Sequence, residues 1–304
     1  MAQLYIKSKR KSEISRSLWA DAGQQLKRNK VFMAACVILA VYLIVGLFAP
    51  WIARYDYARQ FRMRDGGLTA NGSPVAPNSR FWMGTDTLGR DLYSRLVWGT
   101  RTALLVGISV SLITTLVSVL YGSIASLIGG WVDDLMMRAV DVIMGLPYLF
   151  VVLLFVAIFR TPNLYATIFV LCVLQWTGGA RVFRNQVSSI KEYEFVLAER
   201  SLGASTPYIF VRHIFPQLVP LIIVFIGLGI PGAIFAEAGL SFLGLGVPPP
   251  APSWGGMVSQ GIGLWRNAWW MLVFPAAALV GLVIVFNLIA DGLRQALDPR
   301  LKGQ

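Results

Sequence analysis

Long apolar runs alternate with short polar breaks along most of the chain. Uncharged, predominantly apolar segments occupy residues 31–53, 102–129, 142–159, 161–180, 214–236 and 267–290. The hydrocarbon core of a bilayer is ~30 Å thick and takes roughly 17 to 25 helical residues to cross, so each run predicts a membrane-spanning helix. A seventh uncharged stretch, 238–265, is rich in Gly and Pro and contains P-P-P-A-P. Lipid would leave the polar groups of such a backbone unsatisfied, so it predicts an outer loop or a re-entrant segment.

The polar island at 180–216, between the fourth and fifth runs, keeps helical periodicity. Ile190, Tyr193, Val196 and Leu197 recur at three- and four-residue steps, while Lys191, Glu194 and Arg200 fall off that face. Gly203 suits the left-handed position just past a helix C-terminus, and Ser205 or Thr206 caps a second helix with Pro207 in its first turn. That helix carries Ile209, Phe210 and Ile214 up to Pro216. A charged helical hairpin between two spans either offers a docking surface to a soluble partner or lies on the bilayer as an interfacial helix.

Composition agrees with the pattern. The 304 residues are 56% hydrophobic and 14% charged, against about a quarter charged in soluble domains. The net charge of +12 comes without a basic helix face interleaved with aromatics, so it implies the bilayer and no nucleic acid. Lys7, Lys9, Lys11, Lys27, Lys30, Lys191 and Lys302 all fall where six spans place one side, the cytoplasm by the positive-inside rule. Eight arginines between Arg54 and Arg101 oppose this assignment. The first apolar run has 23 residues, against the roughly 7 to 15 of a cleavable signal, and is expected to remain as an anchor.

Cys36 and Cys172 sit within apolar runs, and His213 has no Cys or His companions, so neither a disulfide nor a metal site is expected. No phosphate-binding loop, nucleophile elbow or H-E-x-x-H occurs, which argues against covalent chemistry on this chain. Interior polar groups are few: Gln175 and Asn287, with Glu237 and Asp291 at or near span ends. Glu237, flanked by Pro231, Gly232 and Gly239, either caps a broken helix or lines a path; Gly227, Gly229 and Gly232 thin the same helix for close approach or bending. Glu237, Gly232, Ser241, Gln175 and Asn287 are the candidate path residues. Asp86, Arg90, Asp91 and Arg95 are spaced to pair on one helix face, and Asp133, Asp134, Arg138 and Asp141 to form an interfacial cluster. Trp254, Trp265, Trp269 and Trp270 predict interface anchors.

The hairpin resembles the "EAA" cytoplasmic loop of ABC importer permeases, in which Glu-Ala-Ala is followed by Gly and then by Ile-x-Leu-Pro. Here Leu197-Ala198-Glu199 stands at the triplet, Gly203 at the glycine, His213 at the isoleucine and Phe215-Pro216 at the terminal pair. The leading Glu is missing; Glu199 or Glu194 stands nearby on the same helix. G-T-D-T-L-G-R-D-L-Y-S-R from Gly84, G-L-S-F-L-G-L-G-V-P-P-P-A-P-S-W-G from Gly239, F-N-L-I-A-D-G-L-R-Q-A-L-D-P-R from Phe286 and L-W-A-D-A-G from Leu18 are similar to the "C" type permease subunit of dipeptide and oligopeptide importers.

The resemblance implies an all-α membrane protein of the type I ABC importer permease fold, with six transmembrane helices and a cytoplasmic coupling helical hairpin. Its parts are a basic cytoplasmic segment at 1–30, an anchor at 31–53, an extracytoplasmic loop at 54–101, a permease core at 102–291 with the coupling loop at 181–216, and a cytoplasmic tail at 292–304. It also implies docking of an ATPase subunit on Glu194, Leu197, Ala198, Glu199, Arg200, Leu202, Gly203, Ala204, Ser205, His213 and Pro216. The implied partners are a homologous B-type permease, two ABC ATPase subunits that bind the ATP and Mg, and an extracytoplasmic substrate-binding protein. The chain itself would carry no cofactor and lie in a prokaryotic inner or plasma membrane with both termini cytoplasmic. Peptides are the expected cargo; nickel, glutathione and sugar oligomers remain alternatives within the type, and a secondary carrier or membrane scaffold outside it.

Overall fold

A computed structural model describes residues 18–158 and 163–297. Expectations for 1–17, 159–162 and 298–304 lie outside the described residues, which removes most of the basic N-terminal segment and of the C-terminal tail from view. Among the described residues the chain is helical, with two isolated β-bridges, Leu68 to Pro74 and Thr85 to Asp91.

The N-terminal pair is α1 (Leu18–Arg28) and α2 (Lys30–Leu47), with Asn29 between them accepting a hydrogen bond from the Phe32 N–H at 3.1 Å. A four-residue turn, α3 (Ala49–Ile52), leads into the loop that ends at Asp91. There α4 (Leu92–Ile128) begins, ten residues before the apolar run that predicted it. Asp91 sets this start by accepting from the Ser94 N–H at 2.8 Å, so capping, and not the last arginine, defines the helix end. The helix thus takes in residues 92–101, which the apolar run alone had left in the preceding loop.

The third crossing also departs from expectation. It is α5 (Gly130–Gly145) followed by α6 (Tyr148–Ile158), bent by 85°. Pro147 lacks an N–H and forces the residue before it out of helix; Leu146 accordingly has φ −76° and ψ 130°. The charged segment from Asp133 to Asp141 belongs to the first limb of this crossing.

α7 (Leu164–Lys191) does not stop at 180 but runs eleven residues into the polar island. A short α8 (Glu194–Ser201) follows, then α9 (Thr206–Phe242), continuous with the fifth apolar run through a π-helical turn at Phe210–Ile214. The stretch after α9 holds α10 (Trp254–Ile262), and α11 (Trp270–Leu297) closes the bundle.

Packing fixes the direction of each crossing. Val119 of α4 shares a core with Phe183 and Ile190 of α7 and Ile209 of α9, at one end of the bundle. Val106 and Val110 of α4 meet Val152 of α6, Val170 of α7 and Leu240 of α9 towards the other. Helices α4 and α7 thus run parallel, and the bent α5–α6 pair crosses back between them. Phe32 of α2 lies against Gly292 of α11, and Gly46 against Leu104 of α4. Counting the bent pair as one, six spans result. The described ends of the chain lie at the same end as the hairpin. At 37 residues each, α4 and α9 are about 55 Å long, well beyond the ~30 Å hydrocarbon core.

Candidate functional site

The hairpin turn is built from local rules. The Gly203 N–H donates to the Arg200 carbonyl at 3.0 Å, and the Ala204 N–H to the Glu199 carbonyl at 3.1 Å. This is the Schellman closure of a helix end, and it needs the left-handed residue supplied by Gly203, with φ +85°. Ser205 takes the extended conformation of an N-cap, φ −71° and ψ 149°, with Pro207 in the first turn; its side chain makes no capping hydrogen bond.

The underside is fully packed. Ile190, Val196, Ile209, Ile214 and Leu218 are buried against Val119, Phe183 and Val187. Tyr193 and Leu197, expected on that apolar face, are exposed instead; the helix break at Glu192 rotates α8 relative to α7. They join Phe195, Tyr208, Val211 and Leu202 in an outward apolar and aromatic surface, Leu202 being 84% exposed. Ala198, Arg200, Ser205 and Pro216 are exposed in the same region. An exposed apolar area of this extent is a feature of interaction surfaces, which are enriched in aromatic, Met and Arg side chains.

The acidic residues divide. Glu194 is exposed, whereas Glu199 turns back on the hairpin, its Oε1 being 3.6 Å from His213 Nε2. The rings of Phe195 and Tyr208 each lie 6.0 Å from the His213 ring. His213 sits in the π-helical turn, which gives the entry to α9 its own geometry.

Three polar contacts tie the hairpin's base to its neighbours. Arg184 of α7 pairs with Asp133 of α5, its Nε donating at 3.0 and 3.1 Å. Arg181 pairs with Asp141, and the Lys191 ammonium donates to the Ser126 carbonyl at the end of α4. The acids of α5 therefore pair across to α7, 51 and 40 positions away, and not among themselves. Sequence reasoning missed Arg181 and Arg184, although their spacing of three places both on one helix face.

Two polar cavities interrupt the bundle. One, of about 270 Å³, lies between α4, α7 and α9 and is lined by Thr114, Ser118, Gln175, Gly179 and Gly229 among others. The other, of about 260 Å³, lies at the far end and is lined by Arg95, Ser241, Ser253, Ser259 and Gln260 among others. Glu237 is 2% exposed behind the second cavity; its Oε1 accepts from Ser241 Oγ at 2.6 Å, and among the described residues no cation pairs with it. Gly232 is exposed with open space around it, and Asn287 is exposed and donates to the Val283 carbonyl of its own helix; neither lines a cavity. Gly229 and Gly227 pack against Ser111 and Ala290, which assigns them to close helix approach.

The far end is closed by buried polar structure. Asp86 pairs with Arg90 at 2.6 Å and Arg95 at 3.4 Å, while Asp91 is spent on capping α4 and not on an ion pair. Burial pushes the Asp91 carboxyl above its usual range, against the opposing pull of its Ser94 hydrogen bonds and Arg54. Trp254 and Trp270 are not interface anchors: they are 2% and 5% exposed, and their indole N–H groups donate to the Leu96 and Thr85 carbonyls. Trp265 and Trp269 are exposed. Close seating of α10 requires Gly255, where a Cβ would collide with the Ala238 carbonyl of α9.

Residues 118–303 match the family of binding-protein-dependent transport system inner membrane components, and residues 17–74 match the N-terminal TM domain of oligopeptide transport permease C. The dipeptide transport system permease protein DppC of Bacillus subtilis is 41% identical over 95% of this chain and 88% of its own. The oligopeptide transport system permease protein OppC is 37% identical in Bacillus subtilis, over 96% of this chain and 92% of its own. That of Haemophilus influenzae is 38% identical over 94% and 89%.

Proposed function

The chain belongs to the family of binding-protein-dependent transport system inner membrane components, and from that premise we propose that it moves peptides, driven by an ATPase subunit docked on the hairpin at 181–216. It is a multi-pass permease subunit of an ABC importer, a transport component and not an enzyme. The peptide cargo follows from relatives named as dipeptide and oligopeptide permeases that cover nearly the whole chain.

The observation that carries the docking role is the contrast within the hairpin. Its underside is saturated with apolar contacts, while Leu197, Leu202, Tyr208 and Val211 are exposed. Glu194 and Arg200 add charge at the edge of that surface, and Gly203, Ala204 and Ser205 form the tip. An ATPase subunit that covers this surface would regain the apolar burial the chain alone lacks, at roughly 25 cal/mol per Å².

Helix continuity supports a lever. α7 runs unbroken from Gln175 and Gly179 at the middle cavity to Lys191 at the hairpin, and α9 runs from the hairpin tip past Gly229 to Glu237. When an ATPase dimer binds one hairpin position more tightly than another, both cavity walls move with it. Gln175, Ser241 and Glu237 lie along the path so opened, and Gly232 and Asn287 face outward, towards the B-type permease that supplies its other half. ATP and Mg reside in the ATPase subunits, and an extracytoplasmic binding protein delivers the peptide.

The deciding experiment reconstitutes the chain with its second permease, ATPase subunits and binding protein in liposomes and follows a labelled peptide. Uptake is expected only with ATP, and the purified chain alone turns over no nucleotide. Uptake driven by an ion gradient without ATP would overturn the reading. Cysteine at position 73, in a chain lacking Cys36 and Cys172, is expected to react with an impermeant maleimide from outside intact cells, and cysteine at 205 is not; labelling at 205 would put the hairpin beyond any ATPase.

A further inference from the structure

The far-end cavity is bordered by a buried cation whose carboxylate is shared with a second one. Arg95 is 3% exposed and lines it. Its Nε shares the Asp86 carboxylate with the nearer Arg90, at 3.4 against 2.6 Å. Asp86 is further occupied by the N–H groups of Leu88 and Arg90. Beyond that, Arg95 makes only long contacts, to the carbonyls of Tyr57 at 3.3 Å and Pro250 at 3.4 Å. Asp91 gives its Oδ2 to Ser94, its Oδ1 is buried without a hydrogen bond, and it forms no ion pair with either guanidinium. Two buried guanidiniums thus face one carboxylate, an arrangement that burial penalises unless another anion completes it.

A second observation points into the same space. Ser253 is 4% exposed and lines the cavity; its hydroxyl lies within range of the Glu237 carboxylate but makes no hydrogen bond. A buried hydroxyl left without a partner is costly. A carboxylate would satisfy both groups, since its paired oxygens match the guanidinium fork. At about 260 Å³ the cavity holds one terminal residue and not a whole peptide.

We propose that this cavity is a subsite for the terminal carboxylate of the transported peptide, with Arg95 as counter-charge and Ser253 as hydrogen-bond donor. The inference rests on the peptide reading above.

The test uses the complete reconstituted importer and one labelled peptide in two forms, with a free C-terminal carboxylate and with a C-terminal amide. The quantity read is the acid-to-amide ratio of ATP-driven uptake, always with the same binding protein, so that the latter's own preference cancels between variants. Arg95→Gln and Ser259→Glu, the second placing a competing carboxylate in the cavity, are each expected to lower that ratio roughly tenfold. Because Arg95 also supports the Tyr57 and Pro250 carbonyls, Arg95→Gln can fail to assemble; Ser259→Glu leaves those contacts intact and decides the matter. A ratio unchanged from the parent protein in Ser259→Glu would overturn the subsite while leaving peptide transport in place. If the parent protein imports neither form, the peptide reading has failed and the subsite falls with it.

Discussion

The two ends of the bundle solve opposite problems. At the far end, Asp86 with Arg90 and Arg95, Asp91 with Ser94, and the indoles of Trp254 and Trp270 lock loop to helix through buried, directional contacts. At the hairpin end the buried contacts are mainly apolar, and the outer surface has aromatic and aliphatic side chains without cover. Directional bonding holds one geometry and resists sliding, because a displaced buried charge or N–H loses its partner. Apolar packing tolerates rigid-body movement so long as its area stays covered. The far end thus suits a fixed closure, and the hairpin a part that a partner moves as a unit.

Substitutions at four positions, with Arg181 as a comparison, can break or sharpen this contrast. Asp86→Ala removes the carboxylate between two buried guanidiniums, and its expected cost of about 3 to 5 kcal/mol is to be read as a lowered thermal midpoint in detergent. If exchanging Arg181, an exposed partner at the hairpin end, costs as much, the contrast is void. Ile214→Ala, at a site with no exposure, is expected to cost about 2 to 5 kcal/mol and to loosen the hairpin first, seen as faster amide exchange at 190–214 than at 86–95.

Gly203 offers a finer probe, because the space around it is open and backbone strain alone is at stake. Gly203→Val is expected to cost about 1 to 2 kcal/mol locally and to abolish ATP-driven uptake with the spans still inserted. Gly203→Asn, which tolerates the left-handed conformation, restores most uptake; a dead Asn variant would show that more than conformation is needed there. Smallest in stability is Leu202→Ala, expected to change it by less than about 0.5 kcal/mol. The same variant is expected to weaken ATPase association roughly tenfold, as loss of an interface anchor does, in a pull-down against purified ATPase subunit. Unchanged association would remove Leu202 from the docking surface.

How much was legible follows the range of the forces involved. The turn at Gly203, the extended Ser205 and the first-turn Pro207 were readable because each depends on a few neighbouring residues. The bend at Pro147 and the cap at Asp91 obey equally local rules, but hydropathy, which marks where lipid can lie, does not register where a helix starts or bends. Asp133 with Arg184 was not readable as a pair, since 51 residues separate them and only the parallel course of α4 and α7 brings them together.

The sequence by itself determined that the chain carries six apolar runs long enough to cross a membrane, that its polar island turns at Gly203, and that no phosphate-binding loop is present. Length, hydropathy and backbone sterics suffice for these, and all act within a turn or a span. Only the tertiary structure decided that Tyr193 and Leu197 are exposed, that Trp254 and Trp270 are core residues, and that Arg95 borders a cavity while sharing its carboxylate with Arg90. Which face of a helix is covered depends on where its neighbours lie, and that follows from how all six crossings pack together.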